Sequence, residues 1–475
     1  MVMGEFTQET DVLVIGGGPG GYAAAFRAAD LGLDVTLVDA GGRLGGVCLF
    51  RGCIPSKTLL HVSELLYDVR HSHEMGVTFG DPKIDLARLR QWKNQVIERL
   101  AGGLVELSKK RGVQVLEGRA VFESSERARI RNSQIGHIKF RHAIIATGST
   151  AAFLPGMEFK RGSRVMSSSG ALALADIPET LLVVGGGYVG VELGSVYASF
   201  GSQVTMVEWQ ERLICGADQD LVQPLAFRLK GLFKAIHNKV RVKELQEFND
   251  RVEASLEGEV DQPSQTFHRV LVAVGRTPNS KGIGLENTGV SLDSRGFVIV
   301  DEQRRTTDSK IFAVGDVAGE AMLAHKAMHE GKVAAEVIAG LPSAFDFQVI
   351  PAVVYTDPQI AWCGLTEEDA QRQNRSIRVS RFPWSASGRA VSMGVATGLT
   401  KMIIDPETDR ILGVGIVGRG AGEMIAEGVV AMEMGALAED LALSIHPHPT
   451  LSESEEEAAE AFLGSSTHIL SQRKL

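Results

Sequence analysis

Cysteine is scarce in this sequence, with four residues in a chain of 475. So few cysteines in a chain of this length exclude a small fold held together by disulfides. Cys215 and Cys363 stand alone, and we interpret them as small buried hydrophobic residues. Only Cys48 and Cys53 lie near one another. In a reducing compartment such a pair is more often catalytic or metal-binding than structural.

A cluster of basic residues and a long apolar run are also missing. The net charge is −9 and no Lys/Arg cluster stands out, which argues against a nucleic-acid or anionic-membrane surface. No apolar run approaches the roughly 20 residues that a membrane-spanning helix needs. The polar, acidic N-terminus lacks the apolar core of a signal peptide. We therefore predict a soluble, cytoplasmic protein of about three domains.

Glycine, by contrast, is abundant, with 53 residues, and two glycine-rich segments repeat one pattern. Residues 11–39 and 181–208 each contain an apolar strand, a G-x-G-x-x-G turn, an amphipathic helix and a second apolar strand that ends in an acid. The first glycine and the acid are 23 residues apart in both copies (39 − 16 and 208 − 185). The glycines and acids are Gly16, Gly18, Gly21 and Asp39 in the first copy, and Gly185, Gly187, Gly190 and Glu208 in the second.

This repeat predicts two dinucleotide-binding sites. The glycines form a tight turn and let the backbone approach a pyrophosphate at the N-terminus of the helix, and the acid accepts hydrogen bonds from the adenosine ribose. At the second site, Glu208 would repel the 2′-phosphate of NADP, which favours NAD. The nearby Arg212 leaves NADP open as an alternative.

Two further apolar strands fit a flavin bound to the first copy. Residues 143–148 end in Gly148, and residues 310–319 place Asp316 at the carboxyl end of a strand, where ligands of α/β sheets bind. An alternative for Asp316 is that it caps the N-terminus of a helix near residues 323–338.

The order of these patterns predicts the fold class and the domains. The fold class is α/β, with two Rossmann-like dinucleotide-binding domains and a strand-rich α+β domain at the C-terminus. Residues 1–150 and 281–350 form the first domain, residues 151–280 are inserted as the second, and residues 351–475 form the third.

Cys48 and Cys53 lie in the segment G-G-V-C-L-F-R-G-C-I-P-S-K, shortly after the first acid. Five helical residues span about 7.5 Å, whereas a disulfide needs Cα atoms within about 6.8 Å, so a bridge requires a distorted turn that Gly52 can supply. The apolar spacing that follows predicts a helix beginning near Pro55, whose N-terminus would stabilise a thiolate at Cys53. Lys57 is a candidate positive charge for a flavin ring. The alternative is a pair of buried thiols that never form a disulfide.

The segment I-H-P-H-P-T-L-S-E, residues 445–453, offers a base for such a dithiol. His448 titrates in the required range, and Glu453 would hold its imidazole in the correct tautomer. Two alternatives remain open. His446 and His448 with a nearby Glu match metal-ligand spacing, and Thr450 with Glu453 matches a helix capping box. Otherwise His446 would only shape the turn.

Taken together, these motifs resemble the dihydrolipoamide dehydrogenases, which are pyridine nucleotide-disulfide oxidoreductases, and the resemblance runs nearly end to end. The matching motifs are G-G-V-C-x-x-x-G-C-I-P-S-K, A-T-G, G-G-G-Y-V-G-V-E, V-G-R-T-P-N, A-V-G-D, L-A-H-K and H-x-H-P-T-L-S-E. The resemblance implies oxidation of protein-bound dihydrolipoamide to lipoamide with reduction of NAD⁺, through FAD and a redox disulfide. It also implies a homodimer formed largely by the third domain. The implied partner is the lipoyl-bearing acyltransferase or lipoyl carrier protein of a 2-oxo acid dehydrogenase or glycine cleavage complex.

The resemblance further implies where each cofactor binds. FAD would occupy the first site, where Gly148, Asp316 and Ala324 of the A-T-G, A-V-G-D and L-A-H-K motifs would contact it. NAD would occupy the second site, with Gly275 of V-G-R-T-P-N beside it and Tyr188 gating the nicotinamide pocket.

The implied redox residues are two thiols, an ion pair and an acid–base pair: Cys48 and Cys53, Lys57 and Glu192, and His448 and Glu453. Cys48 would exchange with the substrate and Cys53 would face the flavin. His448, oriented by Glu453, would reach across the dimer interface to serve Cys48 as acid and base.

Several positions depart from the family's usual pattern. Phe50 and Arg51 stand between the cysteines where asparagine and valine are more usual, and Arg51 would shift the pKa of the thiols. Asp39 replaces a glutamate. The competing interpretations are a glutathione-type NADPH disulfide reductase, which Glu208 disfavours, and a catalytically weak assembly subunit of a 2-oxo acid dehydrogenase complex.

Overall fold

The computed structural model of the chain describes residues 7–157, 159–160 and 162–470. Its strands are β1 (Thr7–Ile15), β2 (Val35–Asp39), β3 (Gln114–Glu117), β4 (Arg119–Ser124), β5 (Arg127–Arg131), β6 (His137–Ile145), β7 (Ser149–Ala151), β8 (Val165–Met166), β9 (Thr180–Val184), β10 (Gln203–Glu208), β11 (Ala235–Asn238), β12 (Val240–Glu247), β13 (Val252–Gly258), β14 (Ser264–Phe267), β15 (Arg269–Val272), β16 (Arg276–Pro278), β17 (Ile311–Ala313), β18 (Ala352–Val354), β19 (Gln359–Gly364), β20 (Arg378–Pro383), β21 (Leu399–Ile404) and β22 (Ile411–Gly418). Its α-helices are α1 (Pro19–Asp30), α2 (Gly46–Arg51), α3 (Cys53–His71), α4 (Leu86–Lys110), α5 (Ser168–Ala173), α6 (Tyr188–Ser199), α7 (Gln219–Leu232), α8 (Ala324–Ile338), α9 (Glu367–Arg372), α10 (Gly388–Ser392), α11 (Ala421–Glu433), α12 (Ala438–Ala442) and α13 (Glu453–Leu463).

The first sheet has the order β3-β2-β1-β6-β5-β4, and β17 also pairs with β6. β1 runs parallel to β2 and β6, and β6 runs parallel to β17. Residues 12–15 of β1 alternate between two hydrophobic clusters, one shared with α1 and α8 and the other with β4 and β5. A central strand buried on both faces explains why its sequence is a continuous apolar run. Because β1, β6 and β17 are parallel, their carboxyl ends meet at one edge of the sheet.

The second sheet repeats this arrangement with the order β11-β10-β9-β15-β8, and every pair in it is parallel. The loop between β9 and α6 holds the second glycine-rich turn, and β15 ends beside it. An antiparallel sheet of β12, β13 and β14 packs against this unit. The antiparallel pair of β7 and β16 connects the segment where the chain enters the second unit with the segment where it leaves.

The C-terminal part is an antiparallel sheet in the order β18-β19-β22-β21-β20, with α11 and α13 packed on it around a separate core. The α/β fold class with two Rossmann-like units and an α+β unit is therefore confirmed. The residue numbers of the domain boundaries stay predictions.

Helix α3, which begins at Cys53, lies where the three parts meet. Its buried leucines belong to one hydrophobic cluster that also contains residues of α6, β9, β18 and β22. The guanidinium of Arg419, which follows β22, adds ion pairs to Glu64 at 3.0 Å and Asp68 at 2.7 Å on α3. The second Rossmann unit and the C-terminal unit therefore both fix the position of this helix.

Candidate active site

The two glycine-rich loops have the same backbone geometry. Gly16 has a φ of +109° and Gly185 a φ of +108°, a region that glycine adopts readily. A Cβ on Gly21 would lie 1.8 Å from the carbonyl oxygen of Gly16, and a Cβ on Gly190 would lie 1.9 Å from that of Gly185. The third glycine of each loop therefore lets the helix, α1 or α6, pack closely against the preceding turn.

The middle glycine of each loop faces open space instead. Gly18 and Gly187 are the N-caps of α1 and α6, and a Cβ on either would meet nothing within 4 Å. The backbone at each helix N-terminus is thus accessible to a ligand, and the partial positive charge there favours an anion. Both loops fit the pyrophosphate of a dinucleotide.

We expect Gly190→Ala to weaken NAD⁺ binding about 10- to 100-fold, because the added Cβ must displace the Gly185 carbonyl and the loop with it. Calorimetric titration of the FAD-loaded protein measures the dissociation constant. Gly231→Ala in α7 is the matched control, since a Cβ there meets nothing within 4 Å and alanine favours a helix. An unchanged NAD⁺ affinity in Gly190→Ala would argue against nucleotide binding by this loop.

The acid at the end of each second strand holds the glycine loop as well as facing the ligand site. Asp39 accepts hydrogen bonds from the backbone N–H of Gly17 and of Gly41, both at 2.8 Å. Glu208 accepts them from the N–H of Gly186 at 2.5 Å and of Gln210 at 2.6 Å. The sequence predicted only ribose contacts for these carboxylates. The shorter Asp39 still reaches its loop.

The arginines near Glu208 already have carboxylate partners. Arg212 donates to the Ala217 carbonyl at 2.9 Å and pairs with Glu368. Arg241 is paired with Glu257 at 2.9 Å. A 2′-phosphate would have to compete with these carboxylates while lying next to Glu208. The arrangement favours NAD over NADP.

A cavity of about 1060 Å³ lies along the edge where β1, β6 and β17 end. It is at the upper limit of the roughly 300–1000 Å³ typical of small-ligand pockets, as an extended dinucleotide requires. The predicted site residues that line it are Gly16, Gly18, Asp39, Cys48, Cys53, Lys57, Gly148, Tyr188, Glu192, Asp316 and Ala324. Those outside its lining are Gly21, which lies in α1 against the Gly16 carbonyl, the residues predicted for the second site, Gly185, Gly187, Gly190, Glu208 and Gly275, and the pair His448 and Glu453.

Asp316 lies in a 3₁₀ turn, Gly315–Ala318, directly after β17. It accepts a hydrogen bond from the Ser149 hydroxyl, and the Arg276 guanidinium lies 3.6 Å away. The helix α8 has Leu323 as its N-cap, so the alternative that Asp316 caps this helix is wrong. Its carboxylate lines the cavity, which fits a role in holding the flavin cofactor.

The two cysteines belong to two helices separated by Gly52. Cys48 lies in α2, and Cys53 is the first residue of α3, two residues before the start predicted at Pro55. Pro55 is tolerated in the first turn of α3 because the first N–H groups of a helix have no intrahelical partner. Gly52 has φ −144° and ψ −113°, so the distorted turn is present where the sequence predicts it. Both cysteines are half-buried thiols.

The environment separates the two thiols electrostatically. The hydrogen bond donated by Cys48 lowers the pKa of Cys53 to about 7, and the positive charge of Lys57 acts in the same direction while burial opposes it. The same hydrogen bond and burial raise the pKa of Cys48. A helix N-terminus also favours a thiolate. Cys53 is therefore the thiol that carries negative charge more readily.

Lys57 and Glu192 form an ion pair inside the cavity. The ammonium lies 2.9 Å and 3.1 Å from the two carboxylate oxygens, and the Glu192 side chain is only 3% exposed. The backbone N–H of Tyr355 donates to the same carboxylate at 3.0 Å. The sequence pointed to Lys57 and Glu192 but not to Tyr355.

The two unusual residues between the cysteines have different environments. The Arg43 guanidinium lies 4.5 Å above the Phe50 ring and pairs with Glu98 at 2.6 Å. Phe50 also packs against a small hydrophobic cluster that joins α2 to α4. Arg51 is exposed and lines the cavity. Its effect on the thiols stays a prediction.

His448 and Glu453 are held together on the surface of the C-terminal part. The imidazole Nδ1 lies 2.7 Å from the Glu453 carboxylate, and the His448 side chain is 74% exposed. Glu453 also accepts a hydrogen bond from the backbone N–H of Thr450 at 2.6 Å. Partial burial acts to raise the pKa of Glu453, but these two contacts outweigh the burial and lower the pKa. The N-cap of α13 is Ser452 rather than Thr450, so the capping-box alternative is wrong, whereas the predicted contact of Glu453 with His448 is present.

His446 does more than shape the turn. Its side chain is 7% exposed, with Nε2 2.6 Å from Glu427 and Nδ1 3.3 Å from Glu456. Burial opposes the charged imidazole, but the two carboxylates raise the pKa of His446. His446 and His448 therefore bind different carboxylates, and they do not form a metal-like cluster among the residues that the structure describes. The loop that carries His448 is anchored by this buried ion pair.

Comparison with known protein families identifies the family to which this geometry belongs. Residues 10–331 match the pyridine nucleotide-disulphide oxidoreductase family, and residues 350–459 match its dimerisation domain. The chain belongs to this family. FAD and NAD are therefore its cofactors, and the dimerisation domain supports the expected homodimer.

The relatives within the family cover nearly the whole chain. A dihydrolipoyl dehydrogenase from Haemophilus influenzae is 44% identical over 97% of this chain and 96% of its own length. A dihydrolipoyl dehydrogenase from Geobacillus stearothermophilus is 42% identical over 99% of this chain and all of its own length, 100%. The resemblance seen in the motifs is confirmed.

Solved structures of the family have the same fold. The HOCl-induced flavoprotein disulfide reductase RclA from Escherichia coli is 27% identical, with a TM-score of 0.84 over 95% of this chain and 99% of its own. LpdA from Mycobacterium tuberculosis is 25% identical, with a TM-score of 0.88 over 95% of this chain and 99% of its own.

No helix among the described residues of the present chain is long and apolar enough to span a bilayer.

One acidic cluster in this oxidoreductase has metal-like spacing. Among the described residues, Asp218, Asp220 and Glu367 bring carboxylate oxygens within 4.8 Å of one another. The ammonium of Lys401, only 1% exposed, already lies 2.7 Å from each of them. The cluster therefore joins α7 and α9 to β21 through a buried ion-pair network.

Helix α13 of this oxidoreductase carries a buried acid next to the His448–Glu453 pair. Glu455 is 0% exposed, and neither of its carboxylate oxygens has a hydrogen-bond partner among the described residues. Burial, with Glu427 nearby, raises the pKa of Glu455 well above its ordinary value. In the unfolded chain this carboxyl ionises above a pH of about 4.3, so folding carries a cost that grows as the pH rises above that value.

Glu455→Met is therefore expected to stabilise the protein by about 1–3 kcal/mol at neutral pH, the cost of an unsatisfied buried polar group. The gain should decrease as the pH falls towards the unfolded pKa, because the carboxyl is then protonated in both the folded and the unfolded chain. Thermal unfolding of the FAD-loaded protein at several pH values measures it. Glu407→Met, at an exposed position, is the control that should leave stability nearly unchanged. Equal stability of Glu455→Met and the unaltered protein at every pH would contradict the account.

Proposed function

We propose that this protein oxidises protein-bound dihydrolipoamide to lipoamide and reduces NAD⁺ to NADH, with release of one proton. The observation that carries the proposal is the Cys48–Cys53 thiol pair, which lines the same cavity as the first glycine-rich loop. The relatives named dihydrolipoyl dehydrogenase support it over nearly the full length of the chain.

Each cofactor is assigned to one Rossmann unit. FAD is held by Gly16, Gly18, Gly21, Asp39, Gly148, Asp316 and Ala324, and NAD by Gly185, Gly187, Gly190, Glu208 and Gly275. Bound FAD supplies the two-electron relay between the dithiol and NAD⁺. Tyr188 is the first residue of α6, lines the cavity and is 41% exposed. This position between the two cofactor sites supports a gating role.

The two thiols have different roles in substrate oxidation. A thiolate of dihydrolipoamide attacks the sulfur of Cys48, the Cys48–Cys53 bond breaks, and Cys53 leaves as a thiolate. The second substrate thiolate then attacks the mixed disulfide, which releases lipoamide and the thiolate of Cys48. A leaving thiol of low pKa leaves faster, so the lowered pKa of Cys53 supports this order of the pair.

His448 is the base that takes the proton of the substrate thiol, and Glu453 orients its imidazole. In one chain the pair lies outside the lining of the cavity, on an exposed surface. The neighbouring apolar side chains of Leu443 and Ile445 are 75% and 97% exposed, which supports burial of this surface in a dimer. His448 therefore serves Cys48 of the partner subunit.

The substrate-bearing partner is a lipoyl-bearing acyltransferase or a lipoyl carrier protein, and the proposed location is the cytoplasm. A glutathione-type NADPH reductase is the second candidate, and the paired state of Arg212 and Arg241 beside Glu208 disfavours it. A catalytically weak assembly subunit would bind the same partner without turnover.

A spectrophotometric assay of NADH formation separates these functions. The FAD-loaded protein should form NADH from NAD⁺ and dihydrolipoamide, and much less NADPH from NADP⁺. Rapid reduction of glutathione disulfide by NADPH would favour the glutathione-type reductase. Absence of any activity with FAD bound would favour the assembly subunit and overturn the proposal. Capture of the lipoyl-bearing partner from a lysate then identifies the complex that the enzyme serves.

A further inference from the structure

The ion pair of Lys57 and Glu192 has a third partner from the C-terminal unit. The Lys57 ammonium lies 4.5 Å from the centre of the Tyr355 ring, and the Tyr355 backbone N–H donates to Glu192 at 3.0 Å. Tyr355 directly follows β18, within the residues that match the dimerisation domain. One residue of this domain therefore contacts both members of the ion pair at the redox centre.

The Tyr355 ring and the Glu192 carboxylate both hold the Lys57 ammonium, but they affect the Cys53 thiolate differently. Lys57 lowers the pKa of Cys53, whereas Glu192 raises it. Glu192 therefore fixes the lysine but offsets part of its effect on the thiolate. An aromatic ring attracts an ammonium group through its quadrupole and carries no net charge. Tyr355 can thus fix Lys57 without offsetting its positive charge.

We propose that Tyr355 is a positioning residue of the redox centre, whose ring keeps the Lys57 ammonium beside Cys53. The inference rests on the proposed roles of Cys53 and Lys57. It assigns to the C-terminal unit a part in the electrostatics of the dithiol of its own chain, in addition to dimer formation. The ion pairs of Arg419 with α3 hold the same helix further along, so the ring contacts a helix that is already fixed.

Other titratable groups also face Cys53 from the surrounding elements. They are Cys48 on α2, Lys57 on α3, Tyr22 on α1, Glu192 and Tyr188 on α6, and Tyr355 after β18. Burial raises the pKa of Tyr22 to about 12 and also raises those of Tyr188 and Tyr355. The tyrosines therefore stay neutral near pH 7, where Cys53 titrates. Lys57 and Glu192 are then the charges that the Tyr355 ring can influence.

The test compares Tyr355→Leu with Tyr355→Phe, which keeps the ring. Both are made in a Cys48→Ser background, where Cys53 is the only thiol of the pair. The pKa of Cys53 is measured in the FAD-loaded protein from the pH dependence of the thiolate–flavin absorbance. A second measurement is the rate of iodoacetamide alkylation of Cys53, followed by peptide mass spectrometry. We expect Tyr355→Leu to raise this pKa by about 0.5 to 1, and Tyr355→Phe to leave it close to the reference value.

An unchanged pKa in Tyr355→Leu would overturn the proposal, and so would an equal rise in both variants. If Tyr355→Leu does not retain FAD, phenylalanine analogues with increasing fluorination at position 355 keep the shape of the ring while weakening its negative face. A graded rise in the pKa of Cys53 is then expected, and no gradation would overturn the proposal. These readouts need neither dihydrolipoamide nor NAD⁺. A failure of the proposed function would appear in the turnover assay, whereas a failure of this inference would appear only in the titrations.

Discussion

Cys48→Ser is expected to lower NADH formation from dihydrolipoamide by about 10⁴-fold or more, because a serine cannot form the disulfide that accepts the electrons of the substrate. Cys53 keeps its position at the start of α3 and its interaction with Lys57. Bound FAD and the long-wavelength absorbance of a thiolate against the flavin should therefore remain. Steady-state assays and visible spectra of the same preparation measure both properties.

Cys215→Ser is the matched control for this change. Cys215 is an exposed thiol, so its interpretation as a buried residue is wrong, whereas Cys363 is buried as predicted. The Cys215 thiol donates to the Arg212 carbonyl at 3.1 Å and does not line the cavity. We expect the control to keep turnover and spectrum. Loss of the thiolate absorbance in Cys48→Ser, with FAD still bound, would contradict the order assigned to the two thiols. Turnover close to that of the unaltered protein would contradict the role of the pair.

His448→Gln is expected to lower turnover by about 10²- to 10⁴-fold, the range for loss of a general acid–base group. Glutamine can still donate a hydrogen bond to Glu453, but it cannot take up a proton at neutral pH. Because glutamine is of similar size and keeps the hydrogen bond to Glu453, the replacement should leave FAD content and thermal stability nearly unchanged. Rate, FAD content and melting temperature are measured on the same preparation.

A mixed dimer shows whether the base comes from the partner subunit. In a dimer of one Cys48→Ser chain and one His448→Gln chain, a base supplied in trans leaves one complete site and one site that lacks both groups. We then expect about half of the unaltered activity, as follows from independent sites acting additively. A base supplied in cis would leave both sites defective and the mixed dimer almost inactive. Two differently tagged subunits allow the mixed dimer to be purified.

The parts of the fold that depend on local sequence could be predicted. The spacing from Gly16 to Asp39 and from Gly185 to Glu208 predicts two β-α-β units, because each unit needs glycine at its turn and an acid at the end of its second strand. Gly52 likewise marks the turn between the cysteines, although α3 begins at Cys53 rather than at Pro55. The position of that helix end depends on packing, which apolar spacing reports only approximately.

The contacts that the sequence could not predict join residues far apart in the chain. Tyr355 contacts Lys57 and Glu192 because β18 packs beside α3 and α6, and no pattern near residue 355 indicates this. His446 is held by Glu427 of α11 and Glu456 of α13, so its ion pairs depend on how the C-terminal helices pack. The unpaired Glu455 looks like one more surface acid in its segment. Its burial follows only from the side of α13 that faces the core.

Mapping of the thiols by alkylation and peptide mass spectrometry tests the central claim most directly. The FAD-loaded protein is treated with lipoamide or, anaerobically, with dihydrolipoamide, and its free thiols are then alkylated. We predict a Cys48–Cys53 disulfide after lipoamide and two alkylated thiols after dihydrolipoamide, with one lipoamide formed for each disulfide lost. Cys48 and Cys53 alkylated equally in both states would contradict the assignment of this pair as the redox centre.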